Sequence, residues 1–181
     1  LCEEKKSKKI TVNRLLEAAQ VSRQTFYNNF KDMNDLICWI YVNKIWDGDR
    51  DPAMKPVKYD REGWIKRCVR SYEKQKRYLR FMQYSYRNEG QNCLMQYAIE
   101  TSYEREANLI KDIFNMKKLP PRLDHVLRTN AYGQFAVIKN WILEGMENPS
   151  IEDMARFNME IRYNLFECAL EAEGLVSPDK L

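Results

Sequence analysis

Ile10-Thr-Val-Asn-Arg-Leu-Leu-Glu-Ala-Ala-Gln-Val-Ser-Arg-Gln-Thr-Phe-Tyr-Asn-Asn-Phe-Lys-Asp-Met-Asn-Asp-Leu36 is the stretch on which the reading of this chain turns. Val12, Leu15, Leu16 and Ala19 recur at the i, i+3, i+4, i+7 spacing of one apolar helix face. Thr11 stands just before them as an N-cap, so a helix over Val12 to Ala19 is expected. Gln20-Val21 leaves room only for a turn, and Ser22 is a second N-cap that opens a helix over Arg23 to Phe30. Val21, Phe26 and Phe30 are expected to point inward. Arg23, Gln24, Thr25, Tyr27, Asn28 and Asn29 then face outward, a set rich in hydrogen-bond donors and free of acids.

Two short helices joined by a tight turn, the second carrying such side chains near its start, suit insertion into a major groove. Arg23 matches guanine, Gln24 or Asn28 matches adenine, and the Thr25 methyl matches the thymine methyl. Thr11, Ser22, Tyr27 and Lys31 suit phosphates, which set register rather than sequence preference. Charge agrees with this. Residues 1–31 hold seven Lys/Arg against three acids, a net of +4, and the whole chain is also +4, so the remaining 150 residues sum to zero. A basic surplus confined to one end is a local electrostatic footprint for nucleic acid, although a solvated Lys-rich terminus gives the same count.

The same residues resemble the headpiece of the TetR/AcrR family of one-component regulators. Ile10-Thr11-Val12, Ala19, Val21-Ser22, Thr25-Phe26-Tyr27, Phe30, Lys31-Asp32 and Leu36 carry the match, which covers about the first 45 residues. Three departures stand out. Gln20 occupies the place of a glycine and so is expected to take a left-handed conformation at some cost. Met33 replaces a lysine, removing one phosphate contact. Leu1 to Lys6 corresponds to only the end of the family's first helix, so the headpiece reads as N-terminally truncated.

The remainder is expected to be all-α. The chain has 181 residues, is 44% hydrophobic and holds six glycines, enough apolar content for a packed helical core. Leu36, Ile37, Ile40, Tyr41 and Ile45 continue a helix out of the headpiece, and Asp47 to Lys58, with Gly48, Pro52 and Pro56, breaks it. The expected division is therefore 1–46 for the helix-turn-helix headpiece with its connecting helix, and 47–181 for a helical body. In the body, Asp60 caps a helix that runs toward Phe81 and Met82. A second spans about Cys93 to Met116, a third about Arg122 to Gly145, and a last one runs from Ser150, boxed with Asp153, to Gly174 as its C′ residue.

The last two helices are the candidate dimer interface, through Phe135, Ile138, Ile142, Phe157, Ile161 and Leu165. The apolar residues of the final helix, Met154, Phe157, Ile161, Leu165, Cys168 and Ala172, advance by 3, 4, 4, 3 and 4. The resemblance implies a homodimer built on this pair, and an effector pocket in the body. Trp64, Tyr72, Phe81, Tyr84, Tyr103 and Trp141 are the aromatic candidates to line such a pocket for a flat or amphipathic organic molecule. Arg61 to Arg80, with eight Lys/Arg against Glu62 and Glu73, is a rival site for an anionic effector or a further stretch of phosphate.

Other classes find little support. The five cysteines are odd in number and include no Cys-x-x-Cys pair, so they read as reduced core residues. The single histidine, His125, has no nucleophile at motif spacing and reads as structural. No phosphate-cradling Gly-rich loop and no zinc motif occurs. Carboxylate pairs such as Glu104 with Glu106 read as solvated faces. No run approaches the ~18 apolar residues of a membrane span. With no visible leader, a cytoplasmic protein without a cofactor is expected. The reading is a homodimeric, ligand-responsive repressor that binds double-stranded DNA and a small-molecule effector. A dimeric helical interaction module without effective DNA binding and an unrecognised helical enzyme remain as alternatives.

Overall fold

The computed structural model describes residues 10–46, 60–88, 90 and 93–175. The expected break at 47–58 and the six N-terminal residues matched to a first helix lie outside them. Among the described residues the fold is all-α, with no strand. The helices are α1 (Val12–Ala19), α2 (Arg23–Tyr27), α3 (Met33–Ile40), α4 (Arg61–Arg77), α5 (Leu79–Arg87), α6 (Leu94–Ile113), α7 (Pro121–Leu143) and α8 (Ile151–Ala172). No helix among the described residues is long and apolar enough to cross a membrane.

Local chemistry sets the helix ends. The Thr11 hydroxyl accepts from the Arg14 N–H at 3.3 Å, Ser22 Oγ accepts from the Thr25 N–H at 3.0 Å, and Ser150 Oγ accepts from the Asp153 N–H at 3.1 Å. Each bond satisfies an orphan donor of a first turn. Gln20 closes α1 at φ 55°, the left-handed conformation expected of it, with the Val21 N–H reaching back to the Leu16 carbonyl at 3.1 Å. Gly174, at φ 70°, closes α8 in the same way. A side chain in the left-handed region costs about 1–2 kcal/mol, part of which glycine's extra unfolded-state freedom would cancel. Gln20→Gly should therefore raise the unfolding free energy by about 0.5–1 kcal/mol in urea titration. A decrease would show that the Gln20 side chain makes a stabilising contact.

Three boundaries differ from the expectation. The second helix stops at Tyr27 instead of Phe30, because Asn29 and Phe30 both return their N–H groups to the Phe26 carbonyl as the chain turns. The helix expected from Asp60 to Met82 is two helices, broken at Tyr78 (φ −109°, ψ 30°), a bend that carries Met82 and Tyr86 into the core. The helix leaving the headpiece changes winding, passing from α3 into a π-helical segment over Tyr41–Trp46.

The core has two parts. One joins Ile37, Tyr41 and Ile45 of the connecting helix to Tyr72, Met82, Tyr86, Ile138, Trp141 and Ile142. The other, farther along, joins Ile110 of α6 to Leu123 and Leu127 of α7 and to Phe166 and Leu170 of α8. Met33, which stands in place of a lysine, packs against the first. Among the described residues before α3, the buried apolar ones are Ile10, Leu16 and Phe26, and a chain of rings runs from Phe26 through Phe30 to Trp39 at 5.7 and 5.9 Å.

Candidate functional sites: headpiece surface and body cavity

All eight candidate DNA-contacting residues, Thr11, Ser22, Arg23, Gln24, Thr25, Tyr27, Asn28 and Lys31, are exposed. Phe26 alone anchors α2, at 4% exposure, and turns the rest of the helix outward. Some of the outward groups are already engaged. Arg23 Nη2 donates to Asn13 Oδ1 at 2.8 Å, which fixes the guanidinium against α1. Thr25 Oγ1 shares a hydrogen bond with Ser22 Oγ at 2.9 Å, leaving the Thr25 methyl as its free face. Two inward assignments are corrected: Val21 is 41% exposed and Ala19 is also exposed, the two residues flanking the left-handed turn at Gln20.

Two hydrogen bonds tie the headpiece to α5. The Tyr84 hydroxyl donates to the Ile10 carbonyl at 3.2 Å, and Asn88 Nδ2 donates to Asn34 Oδ1. Tyr84 is thus a strut between headpiece and body rather than a pocket residue.

The body holds a partly open cavity of ≈ 100 Å³ between α4, α6, α7, α8 and the π-helical segment. Trp64 and Tyr72, two of the six aromatic candidates, line it. The other four do not. Phe81 packs against the first core cluster. Trp141 is buried, with its ring edge-on to Tyr72 and its Nε1 donating to the Pro149 carbonyl at 2.9 Å. Tyr103 lies on a separate groove, where it donates to Asp124 and receives a bond from Arg128 Nη2 at 2.9 Å. There the Arg128 and Tyr103 hydrogen bonds hold the Asp124 carboxyl below its usual range.

The cavity wall is more polar than the aromatic pattern suggested. Glu106, read from sequence as a solvated carboxylate, is 7% exposed and accepts from Arg162 Nε at 2.7 Å, with Arg162 itself 4% exposed. The Arg162 guanidinium lies 4.3 Å from the Trp64 ring centre, and that of Arg67 lies 5.0 Å from the same ring. Asn158 donates to the Tyr72 hydroxyl at 3.0 Å. Cys68 also lines the space, and burial pushes its thiol up to about 11, against the lowering effect of Arg162 and Arg67. Tyr41 and Trp46 bring the connecting helix to the same wall.

One signal for this set was present in the sequence. Ala155, Met159, Arg162, Phe166 and Ala169 advance along α8 by 4, 3, 4 and 3, a second helical stripe with a charge at its centre. That stripe faces inward. Of the apolar stripe named as a candidate dimer interface, Met154 is buried within the chain, while Phe157, Ile161 and Leu165 face outward at 50%, 57% and 36% exposure.

For the dimer candidates this divides the set. Phe157, Ile161 and Leu165 lie on an open face, whereas Ile138 and Ile142 are buried in the chain's own core and Phe135 lines the cavity. On α7 the outward apolar residues are instead Tyr132 and Val137, at 61% and 53% exposure. The inward turn of Ile138 and Ile142 follows from helical periodicity, because both share a face with Ala131 and Leu127. Cys168 is exposed on the open side of α8 and so is not a core residue, while Cys38, Cys68 and Cys93 are half-buried. His125 is exposed on α7.

Comparison with known proteins adds no family to this geometry: no family model matches the chain, and no curated protein matches it.

Proposed function

We propose that the protein is a homodimeric DNA-binding transcriptional regulator of the TetR/AcrR type, acting as a repressor whose operator affinity falls when a small molecule occupies the body cavity. The observation that carries this reading is the outward face of α2. Gln24, Tyr27 and Asn28 are exposed on a helix capped by Ser22 and held by the single buried ring of Phe26. A short capped helix presenting amide and phenol groups, beside Arg23 and Lys31, is suited to base edges and phosphates together.

The connecting helix supports the ligand-responsive part. Its π-helical segment places Tyr41 and Trp46 on the cavity wall, while α3, in the same continuous helix, enters the headpiece. π-Turns recur at functional sites, and this one joins the space a ligand would fill to the element that orients α2. A ligand that favours one winding of this segment would shift the population of headpiece orientations, and operator affinity would change by the same coupling free energy.

Selection of bound duplexes from a random library by the full chain tests the reading. A consensus preferred over scrambled DNA by roughly a thousandfold is expected. Gln24→Ala should relax preference at one base position, at a cost of about 1–3 kcal/mol. Tyr27→Ala should weaken all sequences about equally, as loss of a phosphate contact does. Enrichment of no sequence, or a Gln24→Ala protein with an unchanged consensus, would remove α2 from the role of reading helix and favour a helical interaction module.

A further inference from the structure

We infer that the body cavity is a receptor site for a small organic anion, a one-ring carboxylate in which the acid group meets Arg67 and Trp64 and the ring lies against Tyr72 and Phe135. The inference deepens the effector part of the proposed function and leaves its DNA-binding part aside.

Charge is the first argument. Three guanidinium groups, Arg67, Arg105 and Arg162, line the cavity against one carboxylate, Glu106. Glu106 is committed to Arg162 at 2.7 Å, which leaves Arg67 as a second cation beside this pair, on the same Trp64 ring that Arg162 meets. Burial holds the Arg67 guanidinium below its ordinary pKa, with Arg162 acting in the same direction and Cys68 and Asp60 against it. A second cation so near a buried one is costly unless an anion joins them.

Hydrogen-bonding capacity is the second argument, and it is independent of charge. Arg67 Nη2 and Trp64 Nε1 are buried donors without a hydrogen-bond partner, and Gln75 Oε1 is a buried acceptor without one. All three residues line the same cavity. Buried polar groups are almost always satisfied, so a cluster of three open ones in a single cavity marks the place of a missing partner. Two donors require acceptor oxygens, which a carboxylate supplies, and the guanidinium fork favours such a planar anion. The Gln75 oxygen would accept from a ring hydroxyl or amide.

Size and shape limit the rest. A volume of ≈ 100 Å³ is room for about seven to ten water-sized groups, the scale of a single ring with its acid. The flat walls of Tyr72 and Phe135 suit a ring body. The rival readings of the sequence, an aromatic pocket and a basic helix, therefore meet at one residue. Arg67 is the member of the basic run that turns into the cavity, while Arg61, Lys66, Arg70, Arg77 and Arg80 stay exposed.

Calorimetric titration of the full chain with benzoate, phenylacetate and cyclohexanecarboxylate, each paired with its neutral amide, tests this without any DNA. At least one acid should bind about tenfold or more tightly than its amide, as expected of a charge-assisted contact. Arg67→Gln should remove that preference, Arg67→Lys should restore part of it, and Arg70→Gln, on the solvent side of α4, should leave it unchanged. Circular dichroism of each variant separates loss of binding from loss of fold. Amides binding as well as acids, no acid binding at all, or a folded Arg67→Gln protein that keeps the preference would each overturn the inference. Failure here with intact operator selection would leave the regulator reading standing, and the converse result would leave the anion site standing alone.

Discussion

Arg162→Met is expected to lower the unfolding free energy by about 3–5 kcal/mol, because it strands the Glu106 carboxylate in the interior without its partner. The pair is nearly dry, at 4% and 7% exposure, and its N–O distance is 2.7 Å. For a chain of this size such a loss corresponds to a fall in Tm of roughly 6–20 °C. The double variant Glu106→Leu with Arg162→Met should recover most of the deficit, since replacing a buried pair by apolar groups is often neutral. Urea denaturation of the two variants beside the parent chain decides the matter. A single-variant loss below about 1 kcal/mol would mean that the pair is solvated like a surface bridge. The comparison also bears on the cavity, because an ion pair that the double variant can dispense with for stability is free to be retained for binding.

The second large effect is expected at the open face of α8. Ile161→Glu places a charge at the centre of the stripe formed by Phe157, Ile161 and Leu165, in a position that is 57% exposed within one chain. Folding of the single chain should be little affected, as for most surface substitutions away from special features. In sedimentation analysis, however, the parent should run as a dimer and the variant as a monomer. Separating two linked reading heads removes the gain of simultaneous binding, so operator affinity should fall by about 10²–10⁴-fold. A variant that remains dimeric would place the interface elsewhere, and a parent that sediments as a monomer would remove the homodimer from the proposed function. Exposed apolar residues gathered on one side of a helix, as Phe157, Ile161 and Leu165 are on α8, are a recognised mark of an interaction surface.

What the sequence made legible was largely local. Thr11, Ser22, Ser150 and Gly174 act within four or five residues of themselves, so their capping roles followed from spacing alone, as did the left-handed turn at Gln20. The all-helical class followed from apolar periodicity. The orientation of α8 did not, because the helix carries two stripes of helical period and either could serve as the buried one. Packing against α4 and α6 decides between them, through Asn158 bonded to Tyr72 and Arg162 bonded to Glu106. Those partners lie 86 and 56 residues away, beyond any local window.

The candidate cavity was half-legible for the same reason. Trp64 and Tyr72 are legible as aromatics and Arg67 as part of the basic run, but Glu106 reads as a solvated carboxylate and Arg162 carries no local signal, because their pairing joins residues 56 positions apart. The bend at Tyr78 lacks the glycine or proline that usually marks a break. It comes from the demand that Met82 and Tyr86 reach the core, which is a tertiary requirement.

The π-helical segment over Tyr41–Trp46 has a consequence for how such a protein can change over generations. A π-turn accommodates a surplus residue within a helix, and one residue of ordinary α-winding is worth about 100° of rotation. The compass bearing of the headpiece is thereby written into the length of the chain at this point. A single codon gained or lost there would turn α2 relative to the body while every residue of α2 stayed as it was, and would at the same time move Tyr41 and Trp46 on the cavity wall. For the regulator proposed above, headpiece orientation and part of the cavity wall would in that way change together, separately from the residues that α2 presents.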